Sequence, residues 1–280
     1  VPKYEYDGID LPYFAVGGYG SQYSNASIHI EGNDCLSCHR SSIELATTVF
    51  DDLGNSDNSA NIVINGSPSA KQITYNGKSG QEHLLGPDYQ IIRDDLHKPV
   101  QQVIRIKPEK ILTTLGSCEP EVGLEPFLEV LKNISIGNKG LTNDFVLGQD
   151  MKGPLNRNYR PIGFVNPEKL PSKLSSADIA IVSGGQSLIE VVYSGIPSVA
   201  VCTAKNQEKN IRSLLKLEVI YDYIDIGDSN WQVKLLNRVN SMIRDFSARQ
   251  TISLRALKTF DEDGARRIVN RILEKSHCEN

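Results

Sequence analysis

The sequence predicts an α/β protein of two lobes, each a parallel sheet covered by helices. Three observations point there. Short runs rich in β-branched residues alternate with segments of helical periodicity, as in "DIAIVSGG", then "QSLIEVVYSG", then "IPSVAVCT". These strands are apolar along their whole length, the pattern of strands covered on both faces. Finally, 280 residues suffice for one large domain or two modest ones, and a charged, irregular stretch lies between two β/α-rich parts.

In order along the chain, "YFAV" and "TTVFDD" read as strands ending in turn residues. "ANIVINGS" is another, stopped by Asn65-Gly66. "PDYQIIRDDLHKPVQQVIRIKPEK" contains three prolines and no clear period, so it reads as the connection between lobes. Beyond it, "KILTTLGS" is a strand running into a Gly-Ser turn, and "VGLEPFLEVLKNI" is a helix. "NDFVLGQD" is a strand and "NPEKLPSKLSSA" a short amphipathic helix. After the strand–helix–strand unit quoted above, "NQEKNIRSLLKLEV", "NWQVKLLNRVNSMIRDF" and "DGARRIVNRILEK" complete the helices. The predicted division is residues 1–105 and 106–280, with no internal repeat.

Composition narrows the function. Thirty basic against thirty-four acidic side chains give a net charge of −4, so a nucleic-acid partner is not expected. No window reaches the ~18 apolar residues of a membrane span, and "VPKYEYDGID" does not read as a signal peptide. Five cysteines at irregular spacing favour a reducing, cytoplasmic setting over a disulfide framework. Cys35, Cys38 and His39 have the C-x-x-C-H form of a haem attachment site, but no second ordered ligand pair accompanies them. An incidental pair is the expectation, with no metal and no cofactor.

The most informative stretch is Ala177 to Gln207, "ADIAIVSGGQSLIEVVYSGIPSVAVCTAKNQ". A buried strand ends at Ser183, and Gly184-Gly185 lets the backbone turn tightly and a ligand approach. A helix starting near Gln186-Ser187 then aims its unpaired N–H groups at the strand ends, a site suited to a diphosphate. Ser187 adds a hydroxyl, and Glu190, one turn on, is spaced to accept from ribose hydroxyls. Each alone has a plainer reading: a tight turn, an N-cap, a solvated helix residue.

The whole stretch resembles the UDP-2,4-diacetamido-2,4,6-trideoxy-β-L-altropyranose hydrolases of the pseudaminic acid pathway. The related peptidoglycan N-acetylglucosaminyltransferases share its Gly-Gly…Ser…Glu…Gly-x-Pro frame. "TTLGSCEP" is similar to the family's Gly-Gly-Ser-Asp-Pro turn, through Gly116, Ser117 and Pro120. "LLGPDYQIIRDDL" is similar to its Gly-x-x-Tyr-x-x-x-Arg segment (Gly86, Tyr89, Arg93), and Tyr75 has a counterpart too. "FDDLGNSDNSANIVINGS" is similar to its Asp-Asp turn and next strand. Together these cover most of residues 9–225. The resemblance implies two Rossmann-like lobes of GT-B type, the nucleotide in the C-terminal lobe, and a UDP-linked modified aminosugar as ligand. It also implies that Gly184, Gly185, Gln186 and Ser187 hold the diphosphate, that Glu190 holds the ribose, and that Gly116 and Ser117 line the cleft. Leu188 and Gln207 fall within the same substrate-binding frame, and Asn206, at the sugar end, is implied to be a catalytic residue.

The family's Gly-x-Gly-His loop, taken to carry the catalytic base, has no match here: His29, His39, His83, His97 and His277 follow no glycine-rich strand end. The N-terminal lobe therefore reads as shortened, consistent with a piece of a larger polypeptide or complex. "IDLPYFAVGGYGS" is similar to the family's "D-L-V-V-V-D-H-Y-G" strand, which makes Tyr19 a candidate site residue with Gly17-Gly18 in place of Asp-His. Three functions compete: a UDP-sugar hydrolase of nonulosonic acid or surface polysaccharide synthesis, a GT-B glycosyltransferase, and a non-catalytic UDP-sugar-binding domain.

Overall fold

The computed structural model describes residues 5–6, 9–10, 27–28, 48–51, 60–77, 79–96, 99, 102–116, 122–148 and 162–277. The chain forms two compact units, residues 1–91 with 263–280 and residues 92–262.

In the first unit, β1 (Glu5–Tyr6) and β2 (Ile9–Asp10) make an antiparallel pair. A second sheet has the order β3 (Ser27–Ile28), β4 (Thr48–Phe50), β5 (Ile62–Asn65), β6 (Glu82–Leu85). β3 joins β4 antiparallel, whereas β4, β5 and β6 run parallel, with Thr48 opposite Ile62 and Ile62 opposite Glu82. β5 is "IVIN", three β-branched residues and an asparagine, buried throughout, and lies inside this sheet.

The second unit begins a sheet of six parallel strands. In chain order its elements are β7 (Lys110–Thr114), α1 (Glu125–Gly137), β8 (Thr142–Val146) and β9 (Ile162–Val165), then α2 (Leu170–Leu174) and β10 (Ile179–Ser183). α3 (Gln186–Tyr193), β11 (Ser198–Cys202), α4 (Glu208–Lys216), β12 (Asp222–Asp225), α5 (Trp231–Arg244) and α6 (Phe246–Ala256) follow. The strand order is β12-β11-β10-β7-β8-β9. The first strand is thus central and the order reverses between β7 and β10, the Rossmann arrangement, whose ligand crevice lies beyond the carboxyl ends of the strands at the switch.

The continuous apolar runs follow from this layering. Along β10, Ile179 and Ile181 join Phe127, Leu131, Leu235 and Val239 of α1 and α5. Ala180 and Val182 point the other way, into the core with Leu188, Val192, Ile211 and Leu214 of α3 and α4. Both faces of the strand are dry, so alternation gives no polar beat.

The last helix, α7 (Gly264–His277), belongs to the first unit: Ile268 and Ile272 bury against Ile62, Ile64 and Leu84. The predicted division at 105/106, with the C-terminal helix in the second lobe, differs from this one. An Ile pair at i, i+4 announces an apolar stripe but not which sheet it covers. Likewise residues 92–105 pack with the second unit, where Leu96 enters the core and Arg105 pairs with Asp178. The strand expected at "YFAV" lies outside the described residues.

Elements the sequence did not announce have physical reasons for their silence. β9 carries a glycine, and β12 is an edge strand with aspartates at both ends. α6 falls between the helices expected at "NWQVKLLNRVNSMIRDF" and "DGARRIVNRILEK", where no clean apolar stripe marks it. One of its buried residues is Arg249, fully enclosed, whose Nε donates to Met242 O (3.0 Å) and whose Nη atoms donate to Arg105 O and Ile106 O (2.8 Å each) and to Ile243 O (3.3 Å). The guanidinium thereby caps the last turn of α5 and pins the strand of chain entering β7.

Candidate functional site

The crevice is built by the turns that follow β7, β10 and β11. After β7, Gly116 adopts φ +93°, a left-handed conformation that favours glycine. A Cβ at Gly116 would lie 3.3 Å from Ser183 Oγ, at the end of β10. The turn after β7 thus passes closely over the turn after β10, across the switch point. Ser117, the next predicted residue, lies outside the described residues.

The two glycines after β10 have different environments. Gly184 is buried, and a Cβ there would lie 2.5 Å from Ile211 Cδ1 and 2.9 Å from Gln207 Cβ. Its N–H donates to Gln207 Oε1 at 3.2 Å. Gly184 is therefore a tightly packed glycine whose amide is engaged by Gln207. Gly185 is exposed, and a Cβ on it would meet nothing within 4 Å, so the backbone here opens onto free space.

α3 starts directly from Gly185, its N-cap. No side chain caps the helix and no acidic residue occupies its first turn. The first amides of a helix lack carbonyl partners one turn back, and the dipole makes that end electropositive. Gln186 and Ser187, both half-buried, occupy this turn. Leu188 does not reach the crevice: its side chain is fully buried in the core and its N–H donates to Gly185 O (3.1 Å). Glu190 is 2% exposed, which removes the reading of a solvated helix residue. α3 ends with Ser194, whose N–H and hydroxyl donate to Glu190 O, and Gly195 turns the chain toward β11.

After β11 the short 3-10 turn Lys205–Gln207 leads into α4. Asn206 is exposed on this turn. Gln207 faces inward: besides Gly184 N–H, its Oε1 accepts from Thr203 N (3.0 Å) and Thr203 Oγ1 (3.2 Å). Thr203 went unnoticed in the sequence. Its only signal is the i, i+4 spacing to Gln207. Cys202, at the end of β11, is buried, and burial first, then Asp225 and Glu208, push its thiol pKa up.

The structure thus gathers Gly116, Gly184, Gly185, Gln186, Ser187 and Gln207 around the ends of β7, β10 and β11. Tyr19, Cys35, Cys38 and His39 lie outside the described residues. Among the described residues, no group of three or more His, Cys, Asp or Glu could hold a metal ion, and no helix is long and apolar enough to cross a membrane. A groove of about 410 Å3 lies two strands away, between β12 and α5. Both of its basic side chains are paired: Lys234 with Asp228 (2.6 Å) and Arg238 with Asp222 (2.7 Å).

No protein-family model and no curated protein sequence matches the chain. Solved structures do. MurG of Acinetobacter baumannii superposes with a TM-score of 0.53 at 14% identity, over 81% of this chain and 66% of that one. WaaG, a glycosyltransferase involved in lipopolysaccharide biosynthesis, gives 0.54 at 14% identity, over 78% and 64%. The glycotransferase of kitacinnamycin gives 0.53 at 18% identity, over 77% and 56%. At such identities what is shared is the fold, two Rossmann-like lobes of the GT-B type with parallel sheets and covering helices. The chain spans between 56% and 66% of the length of these structures.

Proposed function

We propose that the protein is a GT-B glycosyltransferase that takes a UDP-aminosugar as donor and holds its diphosphate at the start of α3. One observation carries the reading: an uncapped helix N-terminus, free of acidic residues, stands at the switch point of a Rossmann sheet behind a glycine that opens onto free space. Gly185, Gln186 and Ser187 contact the diphosphate, Gly116 and Ser117 line the crevice, and Glu190 receives the ribose. Asn206 sits at the sugar end, and Tyr19 belongs to the reacting side.

In the transfer, an acceptor hydroxyl attacks the anomeric carbon and loses its proton to a base. The bond from that carbon to the diphosphate oxygen breaks, and UDP leaves with the electron pair. The helix N-terminus stabilises the charge that gathers on the leaving diphosphate.

A second reading is hydrolysis, with water in place of the acceptor. What favours it is the sequence frame from Ala177 to Gln207, which resembles the hydrolases. Incubation with UDP-aminosugars, following UDP release with and without an acceptor, separates the two. Release only with acceptor supports transfer, and release without it supports hydrolysis. Tight binding with no release in either case would leave a binding domain, and no affinity for UDP would overturn the site itself. Glu190→Ala should weaken UDP binding by about 1–3 kcal/mol in calorimetry if it holds the ribose.

A further inference from the structure

We infer that Gln207 is a positioning residue: it acts on the donor through the turn Gly184–Ser187 and not by touching the sugar. The inference rests on the reading of this crevice as a diphosphate site. Its basis is the set of bonds made by one oxygen. Gln207 Oε1 accepts from Gly184 N–H (3.2 Å), the first amide beyond β10, and from Thr203 N–H (3.0 Å), the first amide beyond β11. Thr203 Oγ1 adds a third donor at 3.2 Å. One carboxamide therefore ties together the ends of two neighbouring parallel strands.

The packing makes this tie consequential. Gly184 sits so close to Gln207 Cβ and Ile211 Cδ1 that the position holds nothing larger than hydrogen. Gly184 can neither move inward nor turn its amide to a ligand without breaking the bond to Gln207. That fixes the direction in which Gly185 leaves the strand, and so the aim of the amides of Gln186 and Ser187. A carboxamide oxygen supplies this without charge. A carboxylate in the same place would satisfy the same donors but set a negative group beside the diphosphate.

The neighbouring side chain has the complementary placement. Asn206 is exposed on the same 3-10 turn, whereas Gln207 is turned in. The adjacent amides thus differ in placement, Asn206 exposed to solvent and Gln207 turned back to the strand ends.

The test has two arms. In the first, amide hydrogen exchange is followed by NMR in the full chain without ligand. Gln207→Leu should speed exchange at Gly184 and Thr203 and leave the interior of β10 and β11 slow. Gln207→Glu, which keeps the acceptor, should restore slow exchange. In the second arm, UDP and uridine are titrated into wild type and Gln207→Leu. Affinity for UDP should fall about tenfold or more, and affinity for uridine, which lacks the diphosphate, should stay. Unchanged exchange at Gly184 and Thr203 would overturn the inference. So would equal losses for UDP and uridine, or an unchanged UDP affinity. A wild type that fails to bind UDP would refute the proposed function, while the exchange arm still decides the tie. Should Gln207→Leu not fold, Thr203→Val removes one donor and serves the same two readouts, with a smaller loss of about threefold expected for UDP.

Discussion

A single hydrogen decides how Gly184 and Gly185 divide their labour. At Gly184 an added methyl meets Ile211 and Gln207; at Gly185 it meets nothing within 4 Å. Gly184→Ala should therefore destabilise the protein by about 1–3 kcal/mol through overpacking, read as a lowered urea midpoint. Gly185→Ala should leave the midpoint nearly unchanged while lowering UDP affinity. Cys202 offers a second check at this scale. Burial raises its thiol pKa, so the stability it contributes is present below the ordinary thiol range and is lost as pH rises above it. The expected outcome is slow alkylation of Cys202 in the native protein and full alkylation in urea, with unfolding free energy declining above about pH 8.5. The glycine pair itself was legible in the sequence, because a tight turn between strand and helix is a local feature. The division between the two glycines was not, since it depends on Gln207 and Ile211, more than twenty residues downstream and brought in by the β11–α4 crossover.

At the scale of elements, α6 shows why some helices stay hidden. Its place is held by Arg249, which gives its donors to the carbonyls of Met242, Ile243, Arg105 and Ile106. Apolar periodicity finds helices that bury leucine and isoleucine, not one that buries a guanidinium. Arg249→Met should cost about 3 kcal/mol or more, because a hydrophobe of similar length leaves those carbonyls without their charged donor. Chemical denaturation measures it. α3 and α4 were legible for the opposite reason: Leu188, Val192, Ile211 and Leu214 repeat at helical spacing and face one core. α7 was legible as a helix and not as a member of the first unit. Ile272→Ala should remove about 2–4 kcal/mol from that unit. Hydrogen exchange should show the loss in β5 and β6, with β10 and β11 spared.

For the whole molecule, the class of fold was readable because alternating strands and helices leave few topologies once crossovers are right-handed. The unit boundary was not, because it is set by which sheet α7 covers. UDP bound to the second unit should stabilise that unit alone, by about 2.7 kcal/mol at a hundredfold excess over the dissociation constant. Protection gained in the first unit instead would place the nucleotide elsewhere. The return of α7 also bears on how the protein is made. The second unit is one continuous stretch, residues 92–262, and all of it leaves the ribosome before α7 does. β4, β5 and β6 emerge early, yet Ile62, Ile64 and Leu84 must wait for Ile268 and Ile272, about two hundred residues behind. Between these two units synthesis therefore reverses the usual order, in which the earlier-made part folds first: the later-made unit can close first, and the earlier-made one is finished by α7.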